Sequence, residues 1–356
     1  MSSQVRVAML GAGFIAEFRA QVYARLQGGE VVSVLGRDPA RTKKFAEANS
    51  IGFVATSFEG LLDGPDFEAV DLCLPNHLHM EMAIAAAKAG KHILCEKPLG
   101  RSLDEAKAML DAAETARIIH CYGENLLFSP DMKEILSVIE RGTIGNPLWM
   151  RGREGHFGPH SLWFYEREIS GGGALLDMGC HLIGAFNFIS KQKAEAVFAH
   201  TPTLYHKTDC EDNALALIRY GDNLVGQAEA SWTQRGGMAL AIEVWGDEGM
   251  ITYDRSSHSQ PIKVFTKQRT DKYFTEKAEH DQGWLYPTVQ EYWRYGYYDE
   301  IQHFIECVGN KSTPMLTFKD GLEVNRIIDK AYASSRSGKW ERLDRWRIQP
   351  YNSWER

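Results

Sequence analysis

The sequence of 356 residues lacks the features that mark secreted, membrane-spanning and nucleic-acid-binding proteins. No stretch approaches the ~20 apolar residues that a membrane helix needs, and the first residues lack the basic start and apolar run of a signal peptide. The formal net charge of -7 argues against a nucleic-acid binder, which usually has a basic patch. We therefore expect a cytoplasmic protein with no nucleic-acid or membrane partner.

Cysteine is scarce, and no two cysteines form a C-x-x-C pair. A disulfide scaffold would show denser, paired spacing than these six residues do. Cys73 and Cys95 lie in apolar, strand-like runs, which favours buried thiols. Internal repeats and low-complexity linkers are absent as well. What remains is an ordinary globular composition, and the length suggests two domains.

Short apolar runs alternate with helical patterns over residues 1–122. The predicted strands are Val5–Leu10, Val31–Leu35, Ala69–Leu74, His92–Cys95 and Ile118–Cys121. Apolar residues at helical spacing lie between the first two strands, and another helix is predicted over His77–Ala89. This alternation predicts an α/β domain with a doubly wound parallel sheet.

The pattern changes after Tyr122. Strands are predicted over 146–153, 195–200, 213–219, 223–232, 239–245 and 249–253. The turns between them favour a large, mostly antiparallel sheet, so residues 123–356 are predicted to form an α+β domain. The segment Gly283–Tyr298 is rich in Trp and Tyr, which suits a substrate wall, an oligomer contact or a core.

A glycine-rich turn joins the first predicted strand to the first helix. Its sequence is Gly11-Ala12-Gly13-Phe14-Ile15-Ala16. The first glycine permits a tight turn, the second lets backbone amides approach a pyrophosphate, and the helix N-terminus favours negative charge. In this strand–turn–helix context the motif predicts a dinucleotide site rather than a simple turn.

The end of the second predicted strand, Gly36-Arg37-Asp38, leaves the choice of cofactor open. Gly36 stands where an acid that binds the ribose 2′-hydroxyl is expected. Arg37 favours the 2′-phosphate of NADP. Asp38 favours the diol of NAD, or it simply begins the next helix. The sequence therefore predicts NAD or NADP.

Three further segments carry polar side chains. Leu74-Pro75-Asn76-His77 and Glu96-Lys97-Pro98 follow predicted strands, at the edge where open α/β sheets bind ligands. In the third, Gly171-Gly172-Gly173-Ala174-Leu175-Leu176-Asp177-Met178-Gly179-Cys180-His181, the acid and the histidine share one face if the segment is helical. With the glycine-rich turn and Glu243-Val244-Trp245-Gly246, these segments make nearly the whole chain resemble the glucose–fructose oxidoreductase/inositol dehydrogenase (Gfo/Idh/MocA) family.

The resemblance implies a Rossmann domain, a sheet domain and a homodimer or homotetramer. It implies an NAD(P)-dependent oxidoreductase that transfers hydride to or from a secondary hydroxyl carbon of a sugar, a glycoside (at C3 in some members) or a cyclitol. Lys97, Asp177 and His181 would be the catalytic residues. A histidine suits general-base catalysis near neutral pH, a lysine can stabilise the developing alkoxide, and Asp177 could orient His181 or bind a second hydroxyl. Whether Lys97 or His181 takes the proton stays open.

The candidate contacts fall into two sets. The predicted cofactor-binding residues are Gly11, Gly13, Phe14, Ile15, Arg37, Asp38, Leu74, Pro75, Asn76, His79, Glu96, Lys97 and Asn125. The predicted substrate-binding residues are Lys97, His156, His160, Trp163, Asp177 and His181. Three of these lie in Arg153–Trp163, where titratable groups between glycines suggest a binding loop, with a plain surface loop as the alternative.

Three other functions are alternatives to this interpretation. His156, His160, Asp177 and His181 could bind a metal, but no compact ligand spacing is present, so no metal is predicted. A non-enzymatic dinucleotide sensor would be expected to lose the Lys–Asp–His set. A glycoside-cleaving enzyme with transient nicotinamide reduction shares the hydride step and differs in releasing an aglycone.

Overall fold

The first half of the chain folds around one parallel sheet. A computed structural model describes residues 4–221, 223–269, 276–288 and 290–343. The strands are β1 Val5–Leu10, β2 Gly29–Leu35, β3 Phe53–Ala55, β4 Ala69–Leu72, β5 His92–Glu96 and β6 His120–Gly123. They lie in the order β3-β2-β1-β4-β5-β6 with every neighbouring pair parallel, which confirms the predicted sheet. Only β3 was not predicted, because three residues are too few to form a recognisable apolar run.

Helices connect these strands and cover the sheet. They are α1 Phe14–Tyr23, α2 Pro39–Ala48, α3 Phe58–Leu62, α4 His79–Lys88 and α5 Leu103–Ala116. Side-chain caps fix the starts of α2, α3 and α5, where Asp38, Ser57 and Ser102 accept hydrogen bonds from backbone amides of the first turn. The predicted helix over His77–Ala89 is confirmed, with a 3₁₀ turn at Asn76–Leu78 before α4.

The second half contains a larger, mixed sheet. Its strands are β7 Pro147–Gly155, β8 Ala194–His200, β9 Asn213–Tyr220, β10 Leu224–Ser231, β11 Ala239–Gly246, β12 Met250–Asp254 and, after a separate pair β13 Val264–Thr266 and β14 Gly283–Leu285, β15 Glu341–Arg342. Their order is β12-β11-β7-β10-β9-β8-β15. Only β7 and β10 pair in parallel; the other neighbours are antiparallel, as predicted. The short strands β13, β14 and β15 were not predicted.

Helices of the second half pack against this sheet and against the first half. They are α6 Pro130–Glu140, α7 Arg167–Ser170, α8 Cys180–Ser190, α9 Glu291–Arg294, α10 Tyr297–Asn310 and α11 Phe318–Ser337. The segment Arg167–Ser190 is long and apolar enough to span a membrane by length and composition, contrary to the expectation that no stretch is. Inside the protein, however, 94% of its most apolar window is buried, as in the core helix of a globular fold.

Helix α10 connects the two halves. Ile301 and Phe304 of this helix pack in one core with Val7 of β1. Glu300 of the same helix accepts a hydrogen bond from Arg19 of α1 at 2.9 Å, and both side chains are fully buried. The first sheet ends at Gly123 and the second begins at Pro147, while α10 of the second half packs on the first sheet.

Candidate active site

A cavity of about 760 Å³ lies between the carboxyl edge of the parallel sheet and the second sheet. Ligands of open α/β folds bind at this edge. Most of the predicted cofactor contacts line the cavity, namely Gly11, Gly13, Phe14, Ile15, Arg37, Asp38, Leu74, Pro75, Asn76, Glu96, Lys97 and Asn125. The predicted substrate contacts line it too, namely Lys97, His156, His160, Trp163, Asp177 and His181.

The glycine-rich turn forms one end of the cavity. Gly11 has φ +121°, and a Cβ there would lie 2.2 Å from the carbonyl oxygen of Cys73, so only glycine fits. A Cβ at Gly13 would meet nothing within 4 Å, which leaves open space in front of the first turn of α1. Further along the cavity, the Oδ1 atom of Asn125 is buried and has no hydrogen-bond partner among the described residues. An open helix N-terminus and an orphaned acceptor fit a dinucleotide with a carboxamide at its far end.

The end of β2 explains why Gly36 replaces the expected acid. A Cβ at Gly36 would lie 2.1 Å from Oγ1 of Thr42, so Thr42 occupies the space that an acidic side chain would need. Asp38 caps α2 by accepting hydrogen bonds from the amides of Ala40 and Arg41. The alternative that Asp38 begins a helix is therefore confirmed, although the residue also lines the cavity.

His79 is the exception among the predicted cofactor contacts, and that prediction is wrong. The side chain is fully buried and does not line the cavity. Its Nδ1 lies 3.0 Å from the carbonyl oxygen of Pro98, and its Nε2 lies 2.9 Å from that of Leu74. Because it bridges the segments that follow β4 and β5, His79 supports the cavity from behind.

Lys97 and Asp177 meet across the two halves of the chain. Nζ of Lys97 donates to the carbonyl oxygen of Asp177 at 2.7 Å and to its Oδ1 at 3.1 Å. Burial opposes the charge on Lys97, but the Asp177 carboxylate outweighs burial and raises the pKa of Lys97 above its usual value. In the same way, Lys97 outweighs burial at Asp177 and lowers the pKa of that carboxyl. The pair is thus an ammonium next to a carboxylate at neutral pH.

Trp232 and the local backbone turn also hold Asp177 in place. Its Oδ2 accepts from Nε1 of the buried Trp232 at 3.0 Å. The residue lies in a π-helical turn, Leu175–Gly179, of a kind often found at functional sites. Glu211 anchors this turn, since its Oε1 accepts from the amides of Gly173 and Leu175.

His181 is oriented by Glu124, not by Asp177 as the sequence suggested. Nδ1 of His181 lies 2.5 Å from Oε1 of Glu124, which is fully buried. Burial disfavours the imidazolium, but Glu124 and Glu154 outweigh burial and raise the pKa of His181. The expected orienting role of Asp177 is wrong because Lys97 and Trp232 already occupy its carboxylate.

The glycine-punctuated segment brings its three predicted residues to the cavity wall. Burial lowers the pKa of His156 to about 3, so this ring is neutral. His160 lies 2.5 Å from Oε1 of Glu276, and its ring stacks on Phe14 with centroids 5.1 Å apart. Trp163 stacks on Phe164 at 3.8 Å.

In the aromatic segment Gly283–Tyr298, some of the described side chains line the cavity and others lie on the surface. Tyr295 and Tyr297 line the cavity, which supports its interpretation as part of a substrate wall. Trp284 and Trp293 are exposed.

Sequence reasoning missed several residues that complete the site: Glu124, Glu154, Trp232, Arg255 and Glu276. Glu124 directly follows β6, and the rule that used strand ends to select Lys97 would have selected it too. Strand alternation could have placed Glu154 on the inward face of β7. Nothing local distinguishes the other three.

The alternative metal site is not assembled as the sequence allowed. Within the described part of the chain, the four residues His156, His160, Asp177 and His181 do not converge as a ligand set. Potential ligand atoms of Glu124, Cys180 and His181 do lie within 4.8 Å of one another. The Nδ1 atom of His181 in this group already contacts Glu124.

Fold and site together define a two-domain, dinucleotide-dependent oxidoreductase. Residues 5–123 match the model of an oxidoreductase family with an NAD-binding Rossmann fold, and residues 132–252 match the GFO/IDH/MocA C-terminal domain. The chain belongs to this family, as its sequence suggested, and acts on CH–OH groups with a nicotinamide dinucleotide.

Three relatives illustrate the match. The chain is 31% identical to 1,5-anhydro-D-fructose reductase of Ensifer adhaerens, over 94% of this chain and 98% of the relative. It is 26% identical to levoglucosan dehydrogenase of Pseudarthrobacter phenanthrenivorans, over 94% and 97%. Among solved structures, GenD2 from gentamicin A biosynthesis in complex with NAD matches with a TM-score of 0.91 and 26% identity, over 97% of this chain and 98% of that one.

Proposed function

We propose that the protein oxidises or reduces a secondary hydroxyl carbon of a sugar, a glycoside or a cyclitol, with Lys97 and His181 as the acid–base groups. The observation that carries the proposal is the convergence of both residues on the cavity that begins at the glycine-rich turn. The names of the relatives, which include a sugar reductase and a levoglucosan dehydrogenase, support this substrate class.

The two residues take different roles because their charges differ. Lys97 is an ammonium held by Asp177, so it cannot accept a proton; it donates a hydrogen bond to the substrate oxygen and stabilises negative charge there. His181 accepts the hydroxyl proton in its neutral form, and Glu124 stabilises the imidazolium that results. The charge on Lys97 therefore favours His181 as the residue that takes the proton, a choice that the sequence left open.

The residues that would hold the cofactor are Gly11, Gly13 and the α1 N-terminus at the diphosphate and Asn125 at the carboxamide. When bound, the nicotinamide supplies the hydride acceptor or donor. We propose that Arg37 and Arg41, both exposed on the cavity rim, would donate hydrogen bonds to the 2′-phosphate of NADP.

Substitution of the acid–base residues tests the mechanism. We expect Lys97→Ala and His181→Ala to lower kcat at least 100-fold, within the contribution of about 10²–10⁴-fold that acid–base groups make. The assay follows reduced-nicotinamide absorbance with a panel of sugars, glycosides and cyclitols. The exposed Lys88→Ala and His200→Ala are matched controls. Near-normal rates in both active-site variants would contradict the mechanism.

The same panel distinguishes a dehydrogenase from the glycoside-cleaving alternative. The size of the cavity and its aromatic wall leave room for a glycoside. A glycosidase that uses transient nicotinamide reduction releases an aglycone without net change in reduced cofactor. A dehydrogenase accumulates reduced cofactor and releases no aglycone. Turnover of either kind would contradict a purely sensory role.

We also propose that the protein is a homo-oligomer through the uncovered face of the second sheet. On this face Trp149 and Trp245 lie side by side with ring centroids 6.4 Å apart, and Leu215 and Met250 are exposed. Exposed apolar patches of this kind mark subunit contacts. Light scattering over a range of protein concentrations gives the subunit number, and a monomer throughout would refute the proposal.

A further inference from the structure

Two ionisable side chains of opposite sign line the cavity, and each has a polar atom with no hydrogen-bond partner in the part of the chain that the structure describes. Glu154 is 5% exposed, and its Oε2 accepts no hydrogen bond. Arg255 is 7% exposed, and its Nη1 donates none. Within the described part of the chain, the two residues form no ion pair with each other or with any other group. In the mechanism above, Glu154 acts only by helping to raise the pKa of His181, and Arg255 has no role.

The register of the second sheet places both residues around Leu240. Glu154 is directly opposite Leu240 in the β7–β11 pair, on the inward face of β7. The amide of Arg255, just after β12, donates to the carbonyl oxygen of Leu240 at 2.8 Å. The guanidinium of Arg255 then lies over the ring of Tyr295, 4.2 Å from its centroid. Because Leu240 and Tyr295 also line the cavity, both charges face the same space.

Glu154 lines the same cavity as the proposed catalytic residues Lys97 and His181, so one substrate can contact all three. Burial raises the pKa of Glu154, while His181, Lys97 and Arg255 act against burial through their charges. The carboxyl group of Glu154 therefore interacts electrostatically with both proposed acid–base groups. A substrate whose reacting carbon is at His181 and Lys97 would present its neighbouring substituents to Glu154 and Arg255.

Buried polar atoms without partners are costly, and in a ligand cavity the ligand is the natural partner. An anionic substituent would pair with Arg255 but would be repelled by Glu154. An ammonium group would pair with Glu154 but would be repelled by Arg255. Hydroxyl groups both donate and accept, so two of them can satisfy the carboxylate and the guanidinium at once. The charge pattern therefore favours a neutral ligand.

We infer that Glu154 and Arg255 form a recognition site for a neutral polyhydroxylated ring, which donates one hydroxyl hydrogen to Glu154 and accepts a hydrogen bond from Arg255 at another hydroxyl. The inference rests on the proposed function, since it takes the substrate to bind in this cavity. It makes the two residues determinants of substrate charge.

Three compounds that share one ring and differ in charge test the inference: D-glucose, D-glucuronate and D-glucosamine. Their binding to the NAD-loaded protein is measured by calorimetry. We expect the wild type to bind D-glucose at least about 10-fold more tightly than either charged compound, since a hydrogen bond to a charged group is worth about 10- to 100-fold in affinity. Wild-type protein that binds no member of the set, or prefers a charged one, would overturn the inference.

Variants of Glu154 and of Arg255 should change the order of affinities for the three compounds in opposite directions. Glu154→Gln should weaken D-glucose binding about 10-fold or more and move the preference toward D-glucuronate, because Arg255 is left unopposed. Arg255→Met should move the preference toward D-glucosamine, and Arg255→Lys, which keeps the charge, should not. The matched controls are Glu30→Gln and Arg6→Met, whose side chains form an ion pair of 3.9 Å near the amino ends of β1 and β2 and do not line the cavity.

An unchanged ranking in Glu154→Gln and Arg255→Met would overturn the inference. Failure of the proposed function has a different result. In that case no member of a sugar panel would change reduced-nicotinamide absorbance, whatever the binding data show. Hydride transfer with an unchanged ranking would leave the proposed function standing and remove only the recognition site.

Discussion

Replacing Glu124 by glutamine removes the charge next to His181 while it keeps the size of the side chain and an oxygen that can accept a hydrogen bond. Glu124 is fully buried, and its Oε1 lies 2.5 Å from Nδ1 of His181. Because the carboxylate raises the pKa of His181, the variant should lower it. Alcohol oxidation needs the neutral ring, so the acidic limb of kcat/KM should move to lower pH.

Glu124→Ala, in contrast, removes the hydrogen bond as well as the charge. The ring then lacks the contact that orients it. The rate of oxidation should fall by up to the contribution of a general base, about 10²–10⁴-fold. That range corresponds to about 3–5 kcal/mol of activation free energy. Glu124→Gln should stay within about tenfold of the wild-type plateau, since a neutral hydrogen bond is only about 1 kcal/mol weaker than a charged one.

The assay is the initial rate of alcohol oxidation across the neutral pH range with a saturating nicotinamide dinucleotide. Glu140→Gln, which removes a half-exposed carboxylate from an ion pair with Lys191, is the control and should leave the profile unchanged. If the limb of Glu124→Gln stays at its wild-type position, the argument that Glu124 sets the charge of His181 is wrong.

Two further predictions follow from other parts of the structure. Replacing Arg37 and Arg41 together by alanine should lower the ratio of kcat/KM with NADP to that with NAD on the order of 10-fold, through loss of charged hydrogen bonds; an unchanged ratio would rule out phosphate recognition here. Gly36→Asp, which adds the acid expected at this position, is a weaker test of cofactor choice because Thr42 occupies the space that the new side chain needs. Burial lowers the pKa of His120 to about 4, so as pH falls the unfolded chain binds a proton that the folded protein does not. The free energy of unfolding should drop by up to about 3 kcal/mol between pH 6.5 and 4, and urea titrations should show a smaller drop in His120→Asn.

Features set by short stretches of chain could be predicted from the sequence. The glycine-rich turn is one, because the steric limit at Gly11 and the open helix start at Gly13 depend on backbone conformation within a few residues. The six main strands of the second sheet were predicted because alternation repeats every two residues. Lys97 was found because it directly follows β5, at an edge that parallel sheets use for ligands.

Features that depend on distant residues could not be predicted in the same way. His79 was misplaced because a histidine at a helix start can face a ligand or the core, and only packing against Pro98 and Leu74 decides. The unpaired state of Glu154 and Arg255 depends on which cations and anions the folded sheet brings near them.

By itself, the sequence determined that this chain has a dinucleotide turn, a parallel sheet, a second sheet and a lysine, an aspartate and a histidine suited to hydride-transfer chemistry. Tertiary structure alone decided which of these side chains pair. Asp177 holds Lys97 over a separation of 80 residues, and Glu124 holds His181 over 57. The reason is physical: a buried charge takes its pKa from whatever group packing places within a few ångströms, and no local pattern in the chain encodes that neighbour.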